Sequence, residues 1–250
     1  MQPFLANLSN ELFKLRKRKK YLVFLILGAL VCVGSASRVL LAGLVLDEEI
    51  PREVLLGGLA GQNLWFLLLT FLPLMAIMGC CDLFAGEQAD HTIRFSLMRP
   101  VGKGKLFFSK ALAVFLLCLF DLAVLLCVSI LAQVIPGGGG AGILRCLVSC
   151  LLDLIPLAVL ILFFCLLNQA FRGSGLAVLV CLVAYTALVL VGTYVPAAGG
   201  LLFTGYLRWH NLWVGVILPF RALLPRIGIL AGYGLVFACC GCLLFERKEA

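Results

Sequence analysis

Six apolar runs, 21–46, 63–84, 106–135, 143–168, 175–195 and 227–245, occupy most of this chain. Each matches or exceeds the roughly 20 residues that a helix needs to cross about 30 Å of hydrocarbon. The first, Tyr21 to Leu46, carries a single charged residue, Arg38. Hydrocarbon offers a backbone no hydrogen-bond partners, so each run must close its own bonds, and a helix does this within one segment. The fold class that follows is an all-α membrane protein with six transmembrane helices. Composition points the same way: 63% of residues are hydrophobic, only 13% are charged, and the mean hydropathy is +1.14. Between the third and fourth runs, Pro136 and the glycines Gly137, Gly138, Gly139 and Gly140 read as a tight turn. The residues left over are too few for a soluble domain, so residues 1–250 read as one membrane domain.

The cations set an orientation. The net charge is +8, and short cytoplasmic loops retain Lys and Arg. With the N-terminus inside, only Arg38, Arg52, Arg145, Arg208, Arg221 and Arg226 lie outside or at outer span ends, and the other Lys and Arg residues lie inside. Both termini are therefore expected in the cytoplasm, with Trp65, Trp209 and Trp213 near the outer interface. The basic run "KLRKRKK", residues 14–20, abuts the first span, where such residues fix topology and meet anionic headgroups rather than nucleic acid. Ahead of it, Phe4, Leu8, Leu12 and Leu15 recur at helical spacing. This predicts an amphipathic N-terminal helix, residues 1–20, lying along the inner membrane face. The first span reads as an uncleaved signal anchor, because its apolar pattern continues past "VGSAS".

Catalytic and metal-binding patterns do not emerge. The twelve cysteines include Cys239, Cys240 and Cys242, but these sit in an apolar run without histidine nearby and read as small hydrophobes. Phosphate-loop, zinc-protease and serine-hydrolase motifs are missing from the sequence, which contains only two histidines, His91 and His210. The expectation is a protein that is not an enzyme and binds no metal or other cofactor itself.

The polar stretch "CDLFAGEQADHTIRFSLMRPVGKGKLFFSKAL", residues 81–112, lies between the second and third runs. Gly86 reads as a turn, after which Glu87 and Asp90 fall in the first turn of a short helix, where the dipole favours carboxylates. Glu87 with His91 and Asp90 with Arg94 have the spacing of four that lets side chains pair. Ile93 and Leu97 form a separate stripe, and Pro100 ends the helix by withholding a backbone donor. In this stretch Asp82, Glu87, Thr92, Leu97, Pro100, Lys103 and Lys110 resemble the pattern after the second span of ABC-2 type transporter permeases. His91 stands where glycine is usual in that pattern, and Gly102 precedes Lys103 where serine and arginine are common.

The resemblance carries several implications. Residues 86–99 would be a coupling helix seated on a separate ATP-binding subunit through Glu87, Asp90, His91, Thr92, Arg94, Leu97 and Pro100. The chain would be the permease of a prokaryotic exporter in the cytoplasmic membrane, working by alternating access. Its partners would be two ABC ATPase subunits and a second permease copy or a sister permease, with ATP and Mg held by the ATPases. Residues 196–226 would form re-entrant outer helices over the translocation path.

Two acids fall within apolar runs. Asp121 lies about 15 residues into the third and Asp153 about 10 into the fourth, which places both near mid-membrane at about 1.5 Å per residue. Carboxylates at that depth either bond to neighbours, with Ser129 and Ser149 within the same runs, or face a polar substrate path. Asp121, Asp153 and the interfacial His210 are the candidate path residues, and a cation or cationic peptide is the cargo they favour; lipid is the other class such permeases serve. A stand-alone secondary transporter or channel is the alternative, although the two halves of the chain show no matching repeat of broken helices. A membrane-embedded enzyme is a further one.

Overall fold

The computed structural model describes residues 2–45, 55–90, 102–140, 142–171, 173–195, 199–213 and 220–247. Among these residues the secondary structure is helical throughout, without strands. Helix α1 spans Gln2–Lys17 and α2 Lys19–Val45. A continuous rod, α3, runs over Leu59–Ala89. Then come α4 (Lys103–Val134), α5 (Ile143–Asn168), α6 (Ser174–Tyr194) and α7 (Phe220–Glu246). Two single 3₁₀ turns, Phe203–Tyr206 and Trp209–Leu212, precede α7. Helices α2 to α7 carry six stretches long and apolar enough to cross a membrane.

Consecutive spans run in opposite directions, which gives the bundle two unlike ends. At one end α1 meets the start of α4 and the end of α3. Here Phe84, Phe107 and Phe245 stack edge to face or tilted, with centroids about 6 Å apart, and join α3, α4 and α7. A Cβ on Gly241 would lie 2.7 Å from the Phe107 ring, so this glycine lets α7 seat closely on α4. Its carbonyl accepts a 2.9 Å hydrogen bond from Gln169 Nε2. At the far end, the turn after α4 uses left-handed backbone at Gly137, Gly139 and Gly142, with φ of 99°, 65° and 79°, which only glycine adopts readily. The buried Gln133 ties this turn down: Nε2 donates to Gly139 O, and Oε1 accepts from the Ala60 N–H at the start of α3.

Helix α3 is the centre of the bundle. In its most apolar window 67% of residues are buried inside the protein, against 17–22% for α2, α6 and α7. Those outer helices present large apolar side chains such as Leu22, Ile26, Leu179, Val183, Leu235 and Val236, which only lipid can cover favourably. About one turn in from the far end, Asn63 Nδ2 donates to Ser129 Oγ at 3.2 Å and links α3 to α4.

Two π-helical turns, Leu67–Phe71 and Cys81–Gly86, interrupt the regular ladder of α3. Pro73 follows the first and has no N–H to offer the Leu69 carbonyl four residues before it. The Tyr185 hydroxyl on α6 supplies the missing donor at 2.5 Å. The second π turn offsets the carbonyls at the end of α3 and carries Asp82.

Three sequence expectations change. Gly86 does not turn the chain: it is helical, with φ −65° and ψ −46°. Span two therefore runs on through Glu87 to Ala89, so Glu87 ends an existing helix instead of opening a new one. The rest of the predicted 86–99 helix from His91 on lies outside the described residues. The apolar stripe of α1 faces protein: Leu8 and Leu15 are buried together with Asn7 and Glu11, while Leu5 and Phe13 are the exposed apolar residues. The last helix does not wait for residue 227: it begins at Phe220, within the predicted outer segment 196–226, and contains Pro225.

Tyr185→Phe should lower stability by about 1 kcal/mol, the worth of one buried hydrogen bond. Combined with Pro73→Ala, which restores a backbone donor, the same change should lose most of its effect. A double-mutant cycle on thermal unfolding of the detergent-solubilised protein measures both.

Candidate functional site

The α1 end carries a closed ring of four charges. Lys14 Nζ lies 3.0 Å from Glu11 Oε1 and 2.8 Å from Glu87 Oε1. Lys110 Nζ lies 2.7 Å from Glu87 Oε2 and 3.3 Å from Glu11 Oε2. Lys110 also donates to the Leu83 carbonyl at 3.1 Å, so its three ammonium protons have three acceptors. Lys110 and Glu11 have no exposed surface and Glu87 is 7% exposed. Lys14 is half-buried, and the ring as a whole is neutral, which is what allows Glu11, Glu87 and Lys110 to be buried together. Burial pulls the Lys14 pKa down, but the hydrogen bond and charge of Glu87, with Glu11 beside it, outweigh this and leave it raised.

A second cluster sits one turn away. Asp82 Oδ1 accepts from Arg18 Nη1 and Lys20 Nζ, both at 2.7 Å, and Oδ2 accepts from the Tyr21 hydroxyl at 2.5 Å. The bend at Arg18, between α1 and α2, brings all three donors onto one carboxylate. Asn7 Nδ2 donates to Ser109 Oγ, adding a second link between α1 and α4 beside Glu11–Lys110. Together these bonds clamp α1 to the end of α3 and the start of α4, the two helices that flank residues 91–101.

Of the coupling residues read from the sequence, Glu87 is thus turned inward to Lys14 and Lys110, and Asp90 is exposed at the end of α3. His91, Thr92, Arg94, Leu97 and Pro100 lie outside the described residues. Lys110 was legible as part of the family pattern, but its partner Glu11 was not singled out, and Lys14 entered only as part of the basic run 14–20. Glu11 is the one acid among the first twenty residues and stands three before Lys14, a signal that a stripe of apolar residues concealed.

The path candidates separate. Asp153 is fully buried in α5, ten residues from its first residue, and holds His210 twice: Oδ1 accepts the His210 backbone N–H at 2.8 Å and Oδ2 lies 2.5 Å from Nδ1. The 3₁₀ turn Trp209–Leu212 is pinned to α5 by this contact. His210 also borders a far-end pocket of about 430 Å³ with Gln62, Trp65, Arg208 and Asn211. Asp121 is elsewhere, in α4, at a cleft between α1, α2 and α4. Its Oδ2 is buried without a hydrogen-bond partner. Ser129, one neighbour the sequence offered, is engaged by Asn63 instead.

All twelve cysteines are free thiols. Cys80 and Cys165 approach to 3.5 Å between α3 and α5. Among the described residues no three His, Cys, Asp or Glu side chains gather as a metal site.

Six membrane-length apolar helices, the most buried of them α3, define a multi-pass membrane protein. Residues 7–188 match the family model described as ABC-2 family transporter protein. The chain belongs to the ABC-2 family of transporter membrane proteins, whose members work with ABC ATPase partners. A comparison with curated proteins returns no match.

Lys110→Met should destabilise the protein by about 3–5 kcal/mol, because it leaves two buried carboxylates facing one lysine. Adding Glu87→Leu removes one of those carboxylates and should recover most of the loss. Thermal unfolding of the two variants in one detergent provides the comparison; equal losses would show that the ring is not coupled.

Proposed function

We propose that this protein is the membrane-spanning permease of an ATP-binding cassette exporter, powered by separate ATPase subunits. The observation that carries this reading, beyond family membership, is the charge ring. It joins α1, α3 and α4 into one rigid unit at the point where the chain leaves span two for residues 91–101 and re-enters at span three. A force applied to that connection reaches three helices at once, which is what a coupling element requires.

In this reading residues 86–99 dock on the ATPase. Asp90, His91, Thr92, Arg94, Leu97 and Pro100 supply the contact. Glu87 acts as a positioning residue, holding the base of the element through Lys14 and Lys110. Both termini and this connection face the cytoplasm, in the cytoplasmic membrane of a prokaryote, and Trp65, Trp209 and Trp213 mark the outer interface. A second copy or a sister permease completes the translocation path, and two ATPases bind ATP and Mg and carry out hydrolysis. The turns at 203–212 form a re-entrant outer cap, held closed over α5 by the Asp153–His210 contact. Alternating access then moves the α1 end and the cap in opposite phase. The cargo is an antimicrobial peptide, a lipid or a cation.

Leu97→Asp should weaken co-purification with the cognate ATPase by about tenfold or more, a loss of about 1.4 kcal/mol or greater, while leaving the solubilised permease as stable as before. Glu87→Gln should instead lower the stability of the permease as well as ATP-dependent transport. Unchanged association and transport in both variants would overturn the coupling assignment.

A further inference from the structure

The cleft beside Asp121 has the features of a built site. It encloses about 550 Å³ between α1, α2 and α4, within the size range of small-molecule pockets. Its walls are mainly Leu22, Leu25, Leu116, Leu117 and Phe120. Asp121 also lines it, only 3% exposed, with Oδ2 buried and unpartnered. Among the described residues Asp121 makes no ion pair. Every other acid in the described part of the bundle that is as deeply buried has a partner: Glu11, Asp82, Glu87 and Asp153 each hold at least one donor. An acceptor left empty at that depth is costly even before its charge is considered, and a lone carboxyl within a span marks a ligand path by default.

The chemistry of the lining narrows the occupant. A divalent metal needs several oxygen ligands, and the cleft offers one carboxylate among leucines. An anion would meet that carboxylate. A purely apolar molecule would fill the walls and leave Oδ2 unanswered. What satisfies both features is an apolar body carrying an N–H donor with positive charge, since a charged donor on a carboxylate makes roughly twice the bond of a neutral one. Arg16 also borders the cleft but makes no ion pair among the described residues. It belongs to α1 and Asp121 to α4, so the two border the cleft from different helices. We propose that the Asp121 cleft binds hydrophobic amines in their ammonium form, with the carboxylate accepting a hydrogen bond from the ammonium N–H and Leu25, Leu116 and Leu117 covering the apolar body.

As an export substrate site this deepens the permease reading and rests on it; as a binding site it stands without the ATPase. The test uses the full-length protein in nanodiscs of neutral phosphatidylcholine, with dodecylammonium, dodecanol and dodecyl sulfate as matched probes and calorimetry as the readout. Dodecylammonium should bind wild type about tenfold or more tightly than dodecanol, which corresponds to about 1.4 kcal/mol or more, and dodecyl sulfate should bind most weakly. Asp121→Asn should bring the amine to within about twofold of the alcohol, a difference under about 0.5 kcal/mol. Leu25→Trp, which fills the cleft and keeps the carboxylate, should weaken both. Equal binding of amine and alcohol by wild type, or amine affinity unchanged in both variants, overturns the proposal. Amine binding without any effect of dodecylammonium on the activity of the permease–ATPase complex would keep the site and overturn its role in transport.

Discussion

The buried ring of Glu11, Lys14, Glu87 and Lys110 is the interaction on which the α1 end depends. Elsewhere the helices are held by apolar packing, which lipid on the outer faces matches almost equally well, so packing alone ranks neighbouring arrangements weakly. Three charges buried away from water, closed by the half-exposed Lys14, behave differently: they are tolerable only when each finds its opposite. This makes the position of α1 nearly all-or-none. Glu11 and Lys14 come from one helix, Glu87 from the end of a second and Lys110 from the start of a third, so no two of these helices can shift independently without exposing a charge to hydrocarbon or to another carboxylate.

The π-helical turns of α3 belong to the same economy. A span buried on most sides cannot send its unsatisfied carbonyls to water. Where Pro73 withholds a donor, Tyr185 gives one from α6. Where the second π turn offsets the ladder, Lys110 takes the Leu83 carbonyl while also bonding to Glu87. Irregular backbone persists inside the bundle because side chains from other helices complete it, and each such repair also ties two spans together. The far end uses lighter devices: Gln133 holds the glycine turn, and Asp153 holds the Trp209–Leu212 turn through both the backbone and the ring of His210.

This contrast assigns different tasks to the two ends. The α1 end is a rigid coupling of three helices, suited to receiving force. The far end has a single pairing of oppositely chargeable side chains, Asp153 with His210, beside the amide contacts of Gln133 and Asn63. Between them, the Asp121 cleft is the one place where a deeply placed acid has an acceptor oxygen without a partner among the described residues. In the proposed reading, a permease needs rigidity where energy enters and unfinished chemistry where cargo is recognised, and the distribution of partnered and unpartnered acids is consistent with that division.

Much of the fold was legible from residue types alone. Length and hydropathy dictate the six spans, because hydrocarbon thickness and backbone hydrogen bonding leave no other economical form, and the fourth span begins and ends where Gly142 and Asn168 imply. The cluster of polar residues after span two, with Asp82, Glu87 and Lys110, carries the family pattern. What periodicity does not encode is which acid meets which base. Glu11 looked like an interruption in an apolar stripe, Gly86 like a turn, and Asp121 and Asp153 like equivalent intramembrane acids. Tertiary packing turned Glu11 inward, carried the helix through Gly86, gave Asp153 to a histidine 57 residues away and left Asp121 facing a cleft. One sequence determines how deep each charge must lie; only the three-dimensional arrangement determines its partner, because at that depth the free energy depends on contacts a few ångströms across between residues far apart in the chain.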